Sequence, residues 1–228
     1  MGNEFANEIE SQVDLLENEE WMDYVNTIGQ KIVSVSDRQD IEYNFTIVDD
    51  TSTVNAFALP GGYLYVYSGL ILKAENEAEL AGVLAHEVGH VVGKHSMKKL
   101  TSLYGYQFIL TLALGSDPGQ VELLAADILA GLGMVNYGRR NELEADDFAV
   151  KYLYSLGYDP NGFVTFLEKL ADLRTSNPTF VEKLMSTHPD PSERIEKARQ
   201  TIAQLPSNKD LVLGREDFIQ RKKSLYNK

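Results

Sequence analysis

The chain has 228 residues, 43% hydrophobic and 24% charged, long enough to bury a sizeable core and ordinary for a globular protein. Its 34 acidic residues against 21 Lys and Arg give a net charge of −13, which excludes the basic surface that nucleic acid needs and is repelled by anionic lipid. It has no cysteine, so disulfides and thiol catalysis are excluded, and only His, Asp and Glu are left to hold a zinc ion.

Residues 4–36 carry Ile9, Val13 and Leu16, then Val25, Ile28 and Ile32, at helical spacing, and are predicted to be helix. Residues 41–48 alternate and are β-branched, which predicts a strand. A second strand from Val54 to Leu59 meets the turn signal Pro60-Gly61-Gly62, and residues 63–68 alternate again and close a hairpin. Helix is predicted from about Glu75 to Leu103. Residues 104–140, rich in Ala, Leu and Gly, read as one or two helices with a break at residues 115–119. Further helices run from Asn141 to Tyr154 and from Asp159-Pro160 to about Leu173. The last runs from Asp190 to about Gln204, with Asp190 as N-cap, Pro191 at the first helical position and Glu193 at the third. The expected fold is α+β, mostly helical with one small antiparallel-containing sheet, in a single domain over residues 1–228. No apolar run reaches the length of a membrane span, the longest being near residues 108–115, and no signal peptide is legible at the start. Any membrane association is therefore expected to come from a signal or lipid anchor ahead of Met1.

The most informative segment is His86-Glu87-Val88-Gly89-His90, an H-E-x-x-H pattern inside an apolar, helix-forming run. With 4 His and 19 Glu in the chain, shuffling yields it roughly 0.006 times per chain, so chance is a poor explanation. Residues i and i+4 share a helix face, so His86 and His90 can reach one metal ion while Glu87 lies beside it as a general base. A catalytic zinc takes three protein ligands and keeps a fourth position open. The remaining candidates are His95, His188 and carboxylates. Glu142 and Asp146 are again i and i+4, so one can bind the metal while the other receives a ligand histidine's N–H; Glu144 points to another face. His95, nine residues past His86, falls about 180° round an ideal helix and reads as structural or surface.

His86-Glu87-x-x-His90 with Glu142-x-x-Ala145-Asp146 resembles the gluzincin zinc metallopeptidases, and more narrowly the HtpX and CAAX prenyl endopeptidase family. Asn55-Ala56-Phe57-Ala58-Leu59-Pro60-Gly61-Gly62, Tyr137-Gly138-Arg139, and Thr187-His188-Pro189 followed by Ser192-x-Arg194-Ile195 fit the same family over about residues 25–199. The chain departs from the family's membrane-embedded members in having no spanning segment and is similar to the soluble periplasmic branch. The resemblance implies a zincin-like domain holding one Zn2+ through His86, His90 and Glu142, with Glu87 as base and Asp146 orienting a ligand histidine, His86 for preference. It implies that His188 faces the metal, as an oxyanion donor or as a resting-state ligand. It makes Asn55, Ala56 and Phe57 part of an edge strand that pairs with extended substrate. Arg139 is placed at the border of the site, against a buried carboxylate or against substrate. The implied activity is endopeptidase cleavage of protein or peptide substrates in the periplasm or cell envelope, in protein quality control. The competing reading is a zinc-binding, chaperone-like module with little turnover. Glu87 argues against it, because a pure scaffold has no use for the base.

Overall fold

The computed structural model describes residues 2–102, 105, 119, 121–122, 137–188, 191–208 and 210–225. The helices expected in residues 104–140 and the predicted cap at Asp190 lie largely outside these.

The fold is α+β: helices enclose a three-stranded sheet in the order β1-β3-β2. β1 is Asn44–Val48, β2 Ala56–Leu59 and β3 Tyr63–Tyr67. β2 and β3 form the predicted hairpin, while β1 pairs parallel to β3. Gly61 and Gly62 make the turn at φ +97 and +92, where L side chains are strained. At Gly62 a Cβ would also stand 2.2 Å from the backbone oxygen of Glu42.

The helical stretch expected over residues 4–36 consists of two helices, α1 (Gly2–Gln12) and α2 (Glu19–Ser34). Between them Leu16 N–H donates to Ile47 O at 3.0 Å, so the sheet takes a backbone group that a continuous helix would have used. Asn18 then restarts the helix, its side chain accepting from the N–H of Trp21. The helix expected from Glu75 to Leu103 is also divided. A short α3 (Ser68–Lys73), ahead of the expected range and not foreseen, precedes α4 (Glu77–Val92), which Asn76 opens, its side chain accepting from Glu79 N–H at 2.9 Å. α4 stops before Gly93, Lys94 takes φ +54, and residues 95–102 are helical again.

Every residue of α4 from Ala78 to Val91 is buried. A helix buried on all sides belongs at the centre of a fold, and α2, α5 (Arg139–Ser155), α6 (Asn161–Ser176), β2 and β3 surround it. α5 comes close because position 89 is glycine: a Cβ there would meet the backbone of Ala145 at 3.1 Å. That approach sets Glu142 and Asp146 of α5 opposite His86 and His90 of α4. α7 (Pro178–Thr187), α8 (Pro191–Ala203) and α9 (Arg215–Lys222) complete the described chain. α7 and α9 go beyond the sequence expectation. α7 buries only Val181, Leu184 and Thr187, and α9 only Phe218, so neither carries a long apolar stripe.

Candidate metal centre

Four side chains converge where α4 faces α5. His86 and His90 come from successive turns of α4, Glu142 from the first turn of α5, and His188 from the C-cap of α7, held there by its N–H to Leu184 O at 2.8 Å. One donor atom from each lies within 4.8 Å of all the others, a set that could hold a metal ion. His86 Nε2 is 3.0 Å from His90 Nε2 and 3.3 Å from His188 Nδ1. Glu142 reaches His188 Nδ1 at 3.1 Å and His90 Nε2 at 3.3 Å. All four are 3% exposed or less. Three ring nitrogens and a carboxylate directed at one point cannot all be satisfied by shared protons, since each N···N contact takes one proton at most. A cation satisfies them together, and a nitrogen–oxygen set of this kind suits zinc. The residues present therefore fit a metal.

The surrounding groups fix these rings. His86 Nδ1 donates to Asp146 Oδ1 at 2.8 Å. Arg194, on the buried face of α8, clamps both Asp146 oxygens, from Nε at 2.8 Å and Nη2 at 2.7 Å, and reaches Glu142 Oε2 from Nη1 at 3.0 Å. Burial alone would raise both acids. For Glu142 the charges of His188 and Arg194 outweigh it, and for Asp146 the charge and hydrogen bonds of Arg194 do; both carboxyls are held below the ordinary range. His90 is pushed well below the usual histidine value by burial, with the neighbouring His86 adding to the effect, and so stays neutral. Glu87 goes the other way: burial raises it, although His188 and His86 pull it down. An apolar wall that includes Leu70, Val83, Phe163 and Leu184 backs the cavity it shares with His188.

One expected site residue lies elsewhere, and one residue not assigned to the site lies against it. Arg139, expected beside the site, stands on the exposed first turn of α5 and pairs with Glu193. Glu142 lies three residues further along, nearly one turn inward, and the guanidinium beside it belongs to Arg194. The sequence signal for Arg194 was a charged residue sharing a face of α8 with buried Pro191 and Ala198. His95, read as structural or surface, is fully buried, its Nδ1 2.8 Å from His90 Nδ1. The 180° estimate failed because the chain turns at Gly93-Lys94. Asn55, Ala56 and Phe57 lie in or beside β2, which pairs with β3 alone among the described residues, and all three are buried. Ala58 O, on the same strand, accepts from Ser96 Oγ.

The family model described as Peptidase family M48 matches residues 20–202. The chain belongs to that family. It is 30% identical over 234 residues to the Beta-barrel assembly-enhancing protease of Escherichia coli, covering 97% of this chain and 47% of that one. Metalloprotease LoiP of Escherichia coli is 32% identical over 191 residues, covering 82% and 72%. The Mitochondrial metalloendopeptidase OMA1 of Schizosaccharomyces pombe is 31% identical over 179 residues, covering 78% and 52%. The chain spans about half the length of the beta-barrel assembly-enhancing proteases it matches. Membership of this metallopeptidase family implies a metal ion, and the buried His86, His90, Glu142 and His188 cluster is where this member has the donors for one. No helix among the described residues is long and apolar enough to cross a membrane.

Proposed function

We propose that the chain is a zinc-dependent endopeptidase that cuts protein chains in the cell envelope, in the periplasm for preference, as part of protein quality control. The observation that carries this reading is the placing of Glu87 on α4 between two histidines that share a buried donor cluster with Glu142. The names of the beta-barrel assembly-enhancing protease and of LoiP support the process and the class.

His86, His90 and Glu142 would hold the zinc. A bound zinc ion supplies Lewis acidity, towards water and towards the peptide carbonyl. Glu87 takes the proton of the attacking water and delivers it to the leaving amine. Its raised pKa makes it a stronger base than an exposed glutamate. Asp146 keeps the proton of His86 on Nδ1, leaving Nε2 free as a ligand atom, and Arg194 holds Asp146 in that place. β2, at the sheet edge, is the strand an extended substrate would pair with.

The reading is tested by casein cleavage with and without a chelator, together with zinc analysis of Glu142→Ala. Cleavage should stop with the chelator and return with zinc, and the variant should lose most of its zinc. A full complement of metal in Glu142→Ala would move the ligand role to another residue. Zinc binding needs neutral imidazoles, so retention measured by dialysis should fall as pH drops through the histidine range and below.

His188 Nδ1 stands 3.3 Å from His86 Nε2, among the proposed ligand atoms. This favours the resting-state ligand over the oxyanion donor. On that reading His188→Ala cleaves at least as fast as the parent. A kcat lower by about 10²–10³ with zinc intact would instead make His188 an oxyanion donor.

A further inference from the structure

We propose that His95 is a positioning residue for His90: its Nδ1 accepts the Nδ1–H of His90, fixing the tautomer that leaves His90 Nε2 free for the metal. The inference rests on the reading of His90 as a ligand.

The two Nδ1 atoms are 2.8 Å apart, a hydrogen-bond distance, and both rings are fully buried. Two imidazolium ions cannot be held that close, so one nitrogen donates and the other accepts. His90 Nε2 faces the cluster, 3.3 Å from Glu142 Oε1. As a ligand it carries no proton, so the single proton of neutral His90 sits on Nδ1. His90 is then the donor and His95 the acceptor. The proton of His95 is thereby assigned to Nε2, which faces Glu144 Oε2 at 3.5 Å. Tyr137 stacks on the face of the His90 ring, its centroid 3.8 Å from that of His90 at an interplanar angle of 18°, and holds the plane of the ring. The two α4 histidines thus have different outer partners, a carboxylate for His86 and an imidazole for His90.

The backbone is shaped for this contact. An uninterrupted helix would carry His95 away from His90. The turn at Lys94, φ +54, brings it back, and Gly93 leaves room for the ring. A Cβ at position 93 would lie 2.3 Å from His95 Nε2 and 2.7 Å from Cε1. Gly93 itself has φ −69, so alanine is allowed by the backbone, and the atoms it would strike first are those of the His95 ring.

The experiment measures zinc affinity of the full chain by competition with a chromophoric chelator, and the His90 Nδ1–H resonance by NMR of the zinc-loaded protein. His95→Leu should bind zinc about 10–100-fold more weakly, as loss of such an orienting partner does, and should lose the protected resonance. His95→Asn places an amide oxygen near the position of Nδ1 and should recover most of the affinity. Gly93→Ala should weaken binding in the parent and weaken it less in His95→Asn, which lacks the two ring atoms nearest the added methyl, Nε2 and Cε1. Parental zinc affinity in His95→Leu overturns the proposal, as does a His95→Asn variant as weak as His95→Leu. His90→Ala separates this from the metal-site reading: if it keeps zinc, that reading has failed. If it loses zinc while His95→Leu does not, only the role of His95 has.

Discussion

Glu87→Gln is expected to abolish nearly all peptide hydrolysis and to keep its zinc. Glutamine matches glutamate in size, so the packing against Leu70, Val83 and Phe163 is kept. It cannot take up a proton from water at neutral pH, and general acid–base help of this kind is typically worth about 10²–10⁴-fold. The uncharged amide also removes a buried carboxylate that burial already penalises, so the variant should be at least as stable as the parent. Steady-state cleavage of a peptide, with zinc content and melting temperature on the same sample, checks all three. Turnover near the parental rate would end the assignment of Glu87 as the base.

The largest effect on stability is expected at Arg194. The guanidinium bridges Asp146 and Glu142, and all three side chains are about 5% exposed or less. Arg194→Leu leaves two buried carboxylates without their cation, and breaking such a set typically costs about 3–5 kcal/mol. For a domain of this size that lowers the melting temperature by about 6–20 °C. Lysine should rescue only in part, because a point charge cannot bridge two carboxylates as the planar fork does. In the parent, Asp146 and Glu142 have folded values below their unfolded ones. Their contribution is therefore full above the ordinary carboxylate range of about 4 and is lost as pH falls through the folded values. The variant's penalty lies in the ionised carboxylates, so the gap between the two proteins should narrow on acidification. Urea titrations of the metal-free proteins at neutral and acid pH measure this. A gap that stays constant or widens in acid would show that Arg194 acts through packing instead.

Local chemistry was legible in the sequence alone. H-E-x-x-H inside an apolar run states both its conformation and its chemistry, because a helix places residues four apart on one face whatever surrounds it. The same rule pairs Glu142 with Asp146. The hairpin announced itself through alternation and Pro60-Gly61-Gly62, where two glycines take positive φ. These readings needed no partner beyond one turn of chain. The breaks at residues 13–18 and at Gly93-Lys94 were not legible, since the apolar residues continue in phase across them. What divides the first helix is a backbone bond from Leu16 to a strand far along the chain, and what divides the second is the turn that returns His95 to His90.

Only the tertiary structure decided which distant side chains face the cluster. Arg139 and Arg194 are both arginines within a few residues of the site's own segments, yet one pairs with Glu193 on the surface and the other with Asp146 in the core. The choice follows from which face each helix buries, and that depends on how closely α4 and α5 approach at Gly89 and on where α8 then packs. His188 is likewise placed by the end of α7, a helix too weakly patterned to foresee. Spacing along a chain fixes angles within one element. The distance between elements is set by packing and by the pairing of buried charge, which no single segment contains.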